Sequence, residues 1–122
     1  MENFENRFDD KRKYKRVDSV LPIQYRNLRK GEEQASPTVG SNISEGGVCF
    51  TSSQFISLAC RLVVEISLPD VEKPIKAISK IAWIKRLPSS DQYLMGNQFL
   101  EMTKEDKAYV MNFVNNTLNV NI

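Results

Sequence analysis

The chain has 122 residues, room for one domain but hardly for a second core. With 41% hydrophobic and 26% charged residues it has the make-up of a soluble globular protein, not of a disordered one. A net charge of +2 is too small to mark a general nucleic-acid binder, and no apolar stretch approaches the roughly 20 residues of a membrane-spanning helix. Histidine is absent, which removes Ser-His and Cys-His pairs, histidine metal sites and the commonest general base. The first six residues have neither a basic flank nor an apolar core, so no secretory signal is expected there and the cytoplasm is the expected compartment. Cys49 and Cys60, the only cysteines, read as reduced core residues.

In chain order, residues 1–11 are polar and aperiodic and read as a flexible arm ahead of a single domain over 12–122. Val17 to Leu28 is strand-like, with Pro22 placing it at an edge or a bulge. Arg29 to Pro37 is a polar turn. Thr38 to Ile43 predicts a short strand that turns through Ser44-Glu45-Gly46-Gly47 into Val48 to Ser52, a hairpin. Arg61 to Leu68 alternates, with Leu62, Val64, Ile66 and Leu68 on the core face and Arg61, Val63, Glu65 and Ser67 opposite. After Pro69-Asp70 and Pro74, another strand runs through Ile75, Ala77, Ile81 and Trp83 to about Leu87, with Trp83 expected in the core. Pro88 to Asp91 turns the chain, and Tyr93 to Leu100 is the last strand, interrupted by Gly96.

The end of the chain changes period. Thr103 reads as an N-cap followed by acidic residues, and Val110, Phe113, Val114 and Leu118 recur at helical spacing over about 104–118. Six short strands and one amphipathic helix imply a six-stranded antiparallel barrel with the helix packed on it, an all-β-dominated fold.

Charge is unevenly spread. Residues 11–16 read Lys-Arg-Lys-Tyr-Lys-Arg, five cations in six positions, while residues 1–10 are acidic. Such a patch in a nearly neutral chain fits either a solvated arm or a small anionic partner. Arg12 to Arg16 has the form RxxxR. Asn42-Ile43-Ser44-Glu45-Gly46-Gly47 has the form NxSxxG and, read by itself, is a hairpin turn.

In this order and about 30 residues apart, the two motifs resemble those of the PilZ family of bacterial cyclic di-GMP receptors. Arg16 to Arg26 is similar to the first strand of such domains and Ser44 to Phe50 to their motif-bearing hairpin. Ala82-Trp83 and Gly96-Asn97-Gln98-Phe99 are similar to the late strands. The likeness runs from about Arg12 to Leu118, with Asn97 departing where an aliphatic residue is common. It implies that Arg12 and Arg16 engage phosphate and guanine, and that Asn42, Ser44 and Gly47 form the base contacts and the pocket floor. The side-chain chemistry agrees. Guanidinium is a planar fork suited to phosphate or to guanine O6 and N7, and Asn and Ser offer donors and acceptors to a base edge. Gly46 and Gly47 are expected to supply positive φ and close backbone approach. Lys11, Lys13 and Lys15 are secondary candidates, for neutralising a second stacked ligand.

The function implied is a receptor, not an enzyme. Cyclic di-GMP would order the basic arm and signal to a protein partner in motility, biofilm or exopolysaccharide control, without cofactor, metal, DNA, RNA or membrane insertion. The alternative is a PilZ-fold adaptor that makes protein contacts and does not bind the nucleotide. A single-strand nucleic-acid barrel would want cations interleaved with aromatics, and Tyr14 is the only aromatic in the patch.

Overall fold

The computed structural model describes residues 14–29 and 34–120. The expected arm at 1–11, with Lys11, Arg12 and Lys13, and residues 30–33 of the turn after Arg29 lie outside these residues. Six strands are followed by one helix: β1 (Arg16–Asn27), β2 (Ser36–Ser44), β3 (Gly47–Ser52), β4 (Arg61–Ile66), β5 (Ile75–Arg86), β6 (Tyr93–Met102) and α1 (Lys104–Val120). The strands close into an antiparallel barrel in the order β1-β2-β3-β6-β5-β4. The six-stranded barrel with a C-terminal helix is therefore as the sequence implies.

Alternation decides which side chains fill the barrel. Leu21 and Ile23 of β1, Ile43 of β2, Phe50 of β3, Leu62, Val64 and Ile66 of β4, Ile75 and Ile81 of β5 and Met95 of β6 are buried in one cluster. Each contributes on the order of 1.5–3 kcal/mol through the apolar area it removes from water. Tyr25 stacks on Phe50 at 5.0 Å and sends its hydroxyl to Ser52 Oγ at 2.9 Å, so its polar tip is satisfied beside the core.

Helix α1 adds Val110 and Val114 to the core, with Phe113 and Leu118 packed at its margin. Its start is doubly fixed. Thr103 Oγ1 accepts the Asp106 N–H at 3.1 Å as an N-cap, and the Asp106 carboxylate accepts the Lys76 N–H of β5 at 3.0 Å. The second bond ties the helix to the barrel wall. This helix is not long and apolar enough to cross a membrane.

Two expectations need correction and a third is narrowed. Alternation puts Val63 opposite the core face, yet it is only 5% exposed, between Arg26 and Ile78 on the neighbouring strands. Cys60 is not a core residue but half-buried, and Asn27 Nδ2 donates to its sulfur at 3.3 Å. Of the two settings expected for Pro22, the edge falls away because the barrel is closed, and the bulge stands. Pro22 sits beside the register shift between Asp18 and Leu21, and its carbonyl accepts the Ser67 N–H at 3.0 Å.

Ser79 and Asn97 form a polar pair buried in the barrel. Ser79 Oγ donates to Asn97 Oδ1 at 3.1 Å, and Asn97 Nδ2 is buried without a hydrogen-bond partner. A buried donor left unpaired costs about 1–3 kcal/mol. The double substitution Ser79→Ala with Asn97→Leu is therefore expected to raise the thermal unfolding midpoint. Asn97→Leu alone, which strands the Ser79 hydroxyl, should gain less.

Candidate functional site

Strand pairing assembles the site from distant parts of the sequence. Two adjacent cross-strand rows run over the outer face of the barrel. The first carries Asp18, Asn42, Cys49, Gly96 and Trp83 on β1, β2, β3, β6 and β5. The second carries Arg16, Ser44, Gly47, Gln98 and Lys80 on the same strands in the same order. A cavity of about 490 Å³ opens over these rows, with Arg16, Asn42 and Ser44 on one side, Trp83 on the other, and Cys49 and Gly96 in its floor.

Sequence reasoning selected Arg16, Asn42, Ser44, Gly46 and Gly47 as site residues, and all of them line this cavity. Lys15 faces a different cleft, shared with Glu45, Met111 and Asn115. The Ser44 hydroxyl has a structural task as well: its oxygen accepts the Gly46 N–H at 3.1 Å and braces the turn, leaving its hydrogen to donate elsewhere.

The two turn glycines do not work as expected, because no described glycine has positive φ. Space is what they supply. A Cβ on Gly47 would meet the Asn97 carbonyl oxygen of β6, and a Cβ on Gly46 would meet the ring of Tyr14. Gly96 is bare for the same kind of reason, since a Cβ there would enter the indole of Trp83.

Trp83 is the residue that sequence reasoning misplaced. It is 44% exposed and not in the core. Ile81 pairs with Asn97 while Trp83 pairs with Gly96, so Ala82 is an extra residue in β5. A bulge of one residue reverses the facing of every later side chain, and this one turns the indole outward onto Gly96. The usable signal was Gly96 itself, a lone glycine inside a strand pattern, which marks a close approach by another group.

Cys49 lies in the cavity floor and is buried. Burial pushes its thiol pKa up, against smaller lowering effects from a Ser41 hydrogen bond and the nearby Arg16 charge. The thiol is thus protonated and weakly nucleophilic at neutral pH. Among the described residues, no group of three or more Cys, Asp and Glu side chains gathers as a metal site.

The PilZ domain family model matches residues 10–116. The chain belongs to the PilZ family. PilZ domains are ligand-binding receptor and adaptor modules. No curated protein matches the sequence. The fold is similar to that of the Bacillus subtilis inhibitor of motility MotI/DgrA, at 24% identity and TM-score 0.76 over 89% of this chain and 52% of that one. It is similar to Escherichia coli YcgR in complex with c-di-GMP, at 12% identity and TM-score 0.72 over 90% of this chain and 47% of that one. It is also similar to the K. pneumonia MrkH–c-di-GMP complex, at 16% identity and TM-score 0.67 over 90% of this chain and 53% of that one. The chain thus spans about half the length of these three structures.

Two outcomes follow for the PilZ barrel. Gly47→Ala should lower stability by about 1–3 kcal/mol in chemical denaturation, because its methyl meets backbone and not a movable side chain. The Cys49 thiol should react slowly with iodoacetamide at pH 7, as followed by mass spectrometry. Its rate should rise only above the pH range of an ordinary thiol, about 8.5.

Proposed function

We propose that this PilZ domain is a receptor for cyclic di-GMP that uses the outer face described above. The observation that carries the proposal is the convergence of Arg16, Asn42 and Ser44 with an exposed indole around a single cavity of about 490 Å³. That volume falls within the usual range for small-molecule sites, about 300–1,000 Å³.

Each group has a task that fits the dinucleotide. Arg16 forms charge-assisted bonds to phosphate or to the guanine O6 and N7 edge, and Arg12 is assigned the companion role. Asn42 and Ser44 satisfy a base edge, with Gly47 holding the floor by its tight contact to β6. The Trp83 face offers a stacking platform, a contact typically worth about 1–3 kcal/mol per base. Lys80 ends the row that begins at Arg16, and Arg61 pairs with Lys80 on β4, so cationic side chains continue away from the cavity. Asp18 is the acidic counterweight at the start of the other row.

In this reading the protein is a cytoplasmic signalling module, and ligand neutralises and orders the basic segment from Lys11 to Arg16. The ordered segment then presents a surface to a protein partner in motility, biofilm or exopolysaccharide control. Support comes from the family membership and from relatives solved with c-di-GMP. Lys11, Lys13 and Lys15 would assist if two stacked ligands bind.

Calorimetric titration of cyclic di-GMP, with GMP as control, tests the proposal. Saturable binding is expected for the wild type and is expected to be lost in Arg16→Ala. Trp83→Ala should weaken affinity by about 10-fold, in keeping with one lost stacking contact. A flat wild-type titration would favour the adaptor that does not bind the nucleotide. Saturation at one ligand per chain would remove the role given to the three lysines.

A further inference from the structure

Gly46 stands outside the residues that the NxSxxG pattern fixes, yet the space beside its Cα is taken by another side chain. Its φ is not positive, so backbone conformation does not demand glycine. The demand comes from Tyr14. A Cβ on Gly46 would stand 2.6 Å from Tyr14 Cδ2 and 2.9 Å from Cε2, distances that real Cβ atoms essentially never show. The phenol ring therefore covers the bare Cα of Gly46.

The surface beneath the ring is rigid. Ser44 Oγ holds the Gly46 N–H at 3.1 Å, and the Gly46 carbonyl accepts the Phe99 N–H of β6 at 2.9 Å. Both polar groups of the Gly46 backbone are thus engaged, one within the turn and one across the barrel. A ring resting on such a surface has a fixed address.

Tyr14 also occupies a junction. It lines the 490 Å³ cavity, a 420 Å³ cleft against Gln98 to Met102, and a 260 Å³ cleft bounded by Met111, Val114 and Asn115 of α1. It lies two residues before Arg16 and two after Arg12. Seating the ring thereby bears on where the chain enters β1, and with it on the approach of Arg16.

We propose that Tyr14 is the positioning residue of the basic segment, and that Gly46 is kept bare as its seat. This rests on the cyclic di-GMP reading above and deepens it. Affinity then depends on a ring-on-glycine contact at the rim of the cavity, made between two parts of the protein. The gain is partial preorganisation: a chain already seated at Tyr14 leaves the ligand less of the basic segment to order. The contact also places one side of the ligand face against α1, so that loosening the ring loosens the segment from the helix.

The test is a double-mutant cycle on Tyr14 and Gly46. Cyclic di-GMP is titrated into wild type, Tyr14→Ala, Gly46→Ala, the double variant and Tyr14→Phe, and each ligand-free protein is digested with dilute trypsin. Tyr14→Ala and Gly46→Ala should each weaken binding by about 10-fold, a typical size for a lost positioning contact. Both should also speed cleavage after Lys15 and Arg16, while the unfolding midpoint stays near that of the wild type. The double variant should be no worse than Tyr14→Ala, because the added methyl then has no ring to displace. Tyr14→Phe should retain wild-type affinity, since the contact uses the ring and not the hydroxyl. Wild-type behaviour of Gly46→Ala in both assays would overturn the proposal, as would a full additional loss when Gly46→Ala is placed on Tyr14→Ala. If the wild type binds no cyclic di-GMP, the receptor reading falls by itself. The trypsin rates then decide the seat: faster cleavage in both single variants supports it, and unchanged cleavage sinks it.

Discussion

Strands β3 and β6 pass so close at Gly47 that no side chain fits between its Cα and the Asn97 carbonyl. The rest of the ligand face depends on this contact. In barrel order it joins β1, β2 and β3 to β6, β5 and β4, and so joins the strands that carry Arg16, Asn42 and Ser44 to the strand that carries Trp83. Push β3 and β6 apart and the two cross-strand rows no longer share one surface. A glycine here is a measure of inter-strand distance, whereas at Gly46 and Gly96 it is a seat for an aromatic ring.

The same face shows how irregular pairing serves a regular barrel. Register shifts occur in β1 after Asp18, in β2 between Gly40 and Asn42, in β5 between Ile81 and Trp83, and in β6 at Leu100. The first three adjoin residues of the row Asp18–Asn42–Cys49–Gly96–Trp83. Bulges gather beside functional sites because they re-aim one side chain without disturbing the core beneath. Here the core residues Ile43, Ile81 and Met95 keep their inward positions while Trp83 is turned out.

Much of this was readable in the amino-acid order, for physical reasons. A strand with one buried face writes a period of two, so Leu62, Val64 and Ile66 declared themselves. A helix that needs its first N–H groups satisfied declares Thr103. The hairpin motif was readable because a tight turn restricts composition. What alternation cannot show is a break in alternation. The Ala82 bulge has no compositional mark, and every later residue of β5 changes side because of it. The reason for Gly46 and Gly47 was hidden too. Positive φ and close contact both call for glycine, and only the neighbours across the sheet tell them apart. Val63 shows the converse case: an apolar residue off the alternating core face that is buried all the same, which a single strand's pattern cannot reveal.

Trp83 is the only tryptophan in the chain. Its indole rests on Gly96 at the rim of the cavity, and no second indole elsewhere contributes to the emission. Selective excitation near the red edge of protein absorption therefore reports on one spot of the surface. Quenching or a spectral shift of that emission is a local signal and not an average over the fold. The bulge that turned the ring outward has, in effect, left the protein carrying its own optical probe at the place where its chemistry is concentrated.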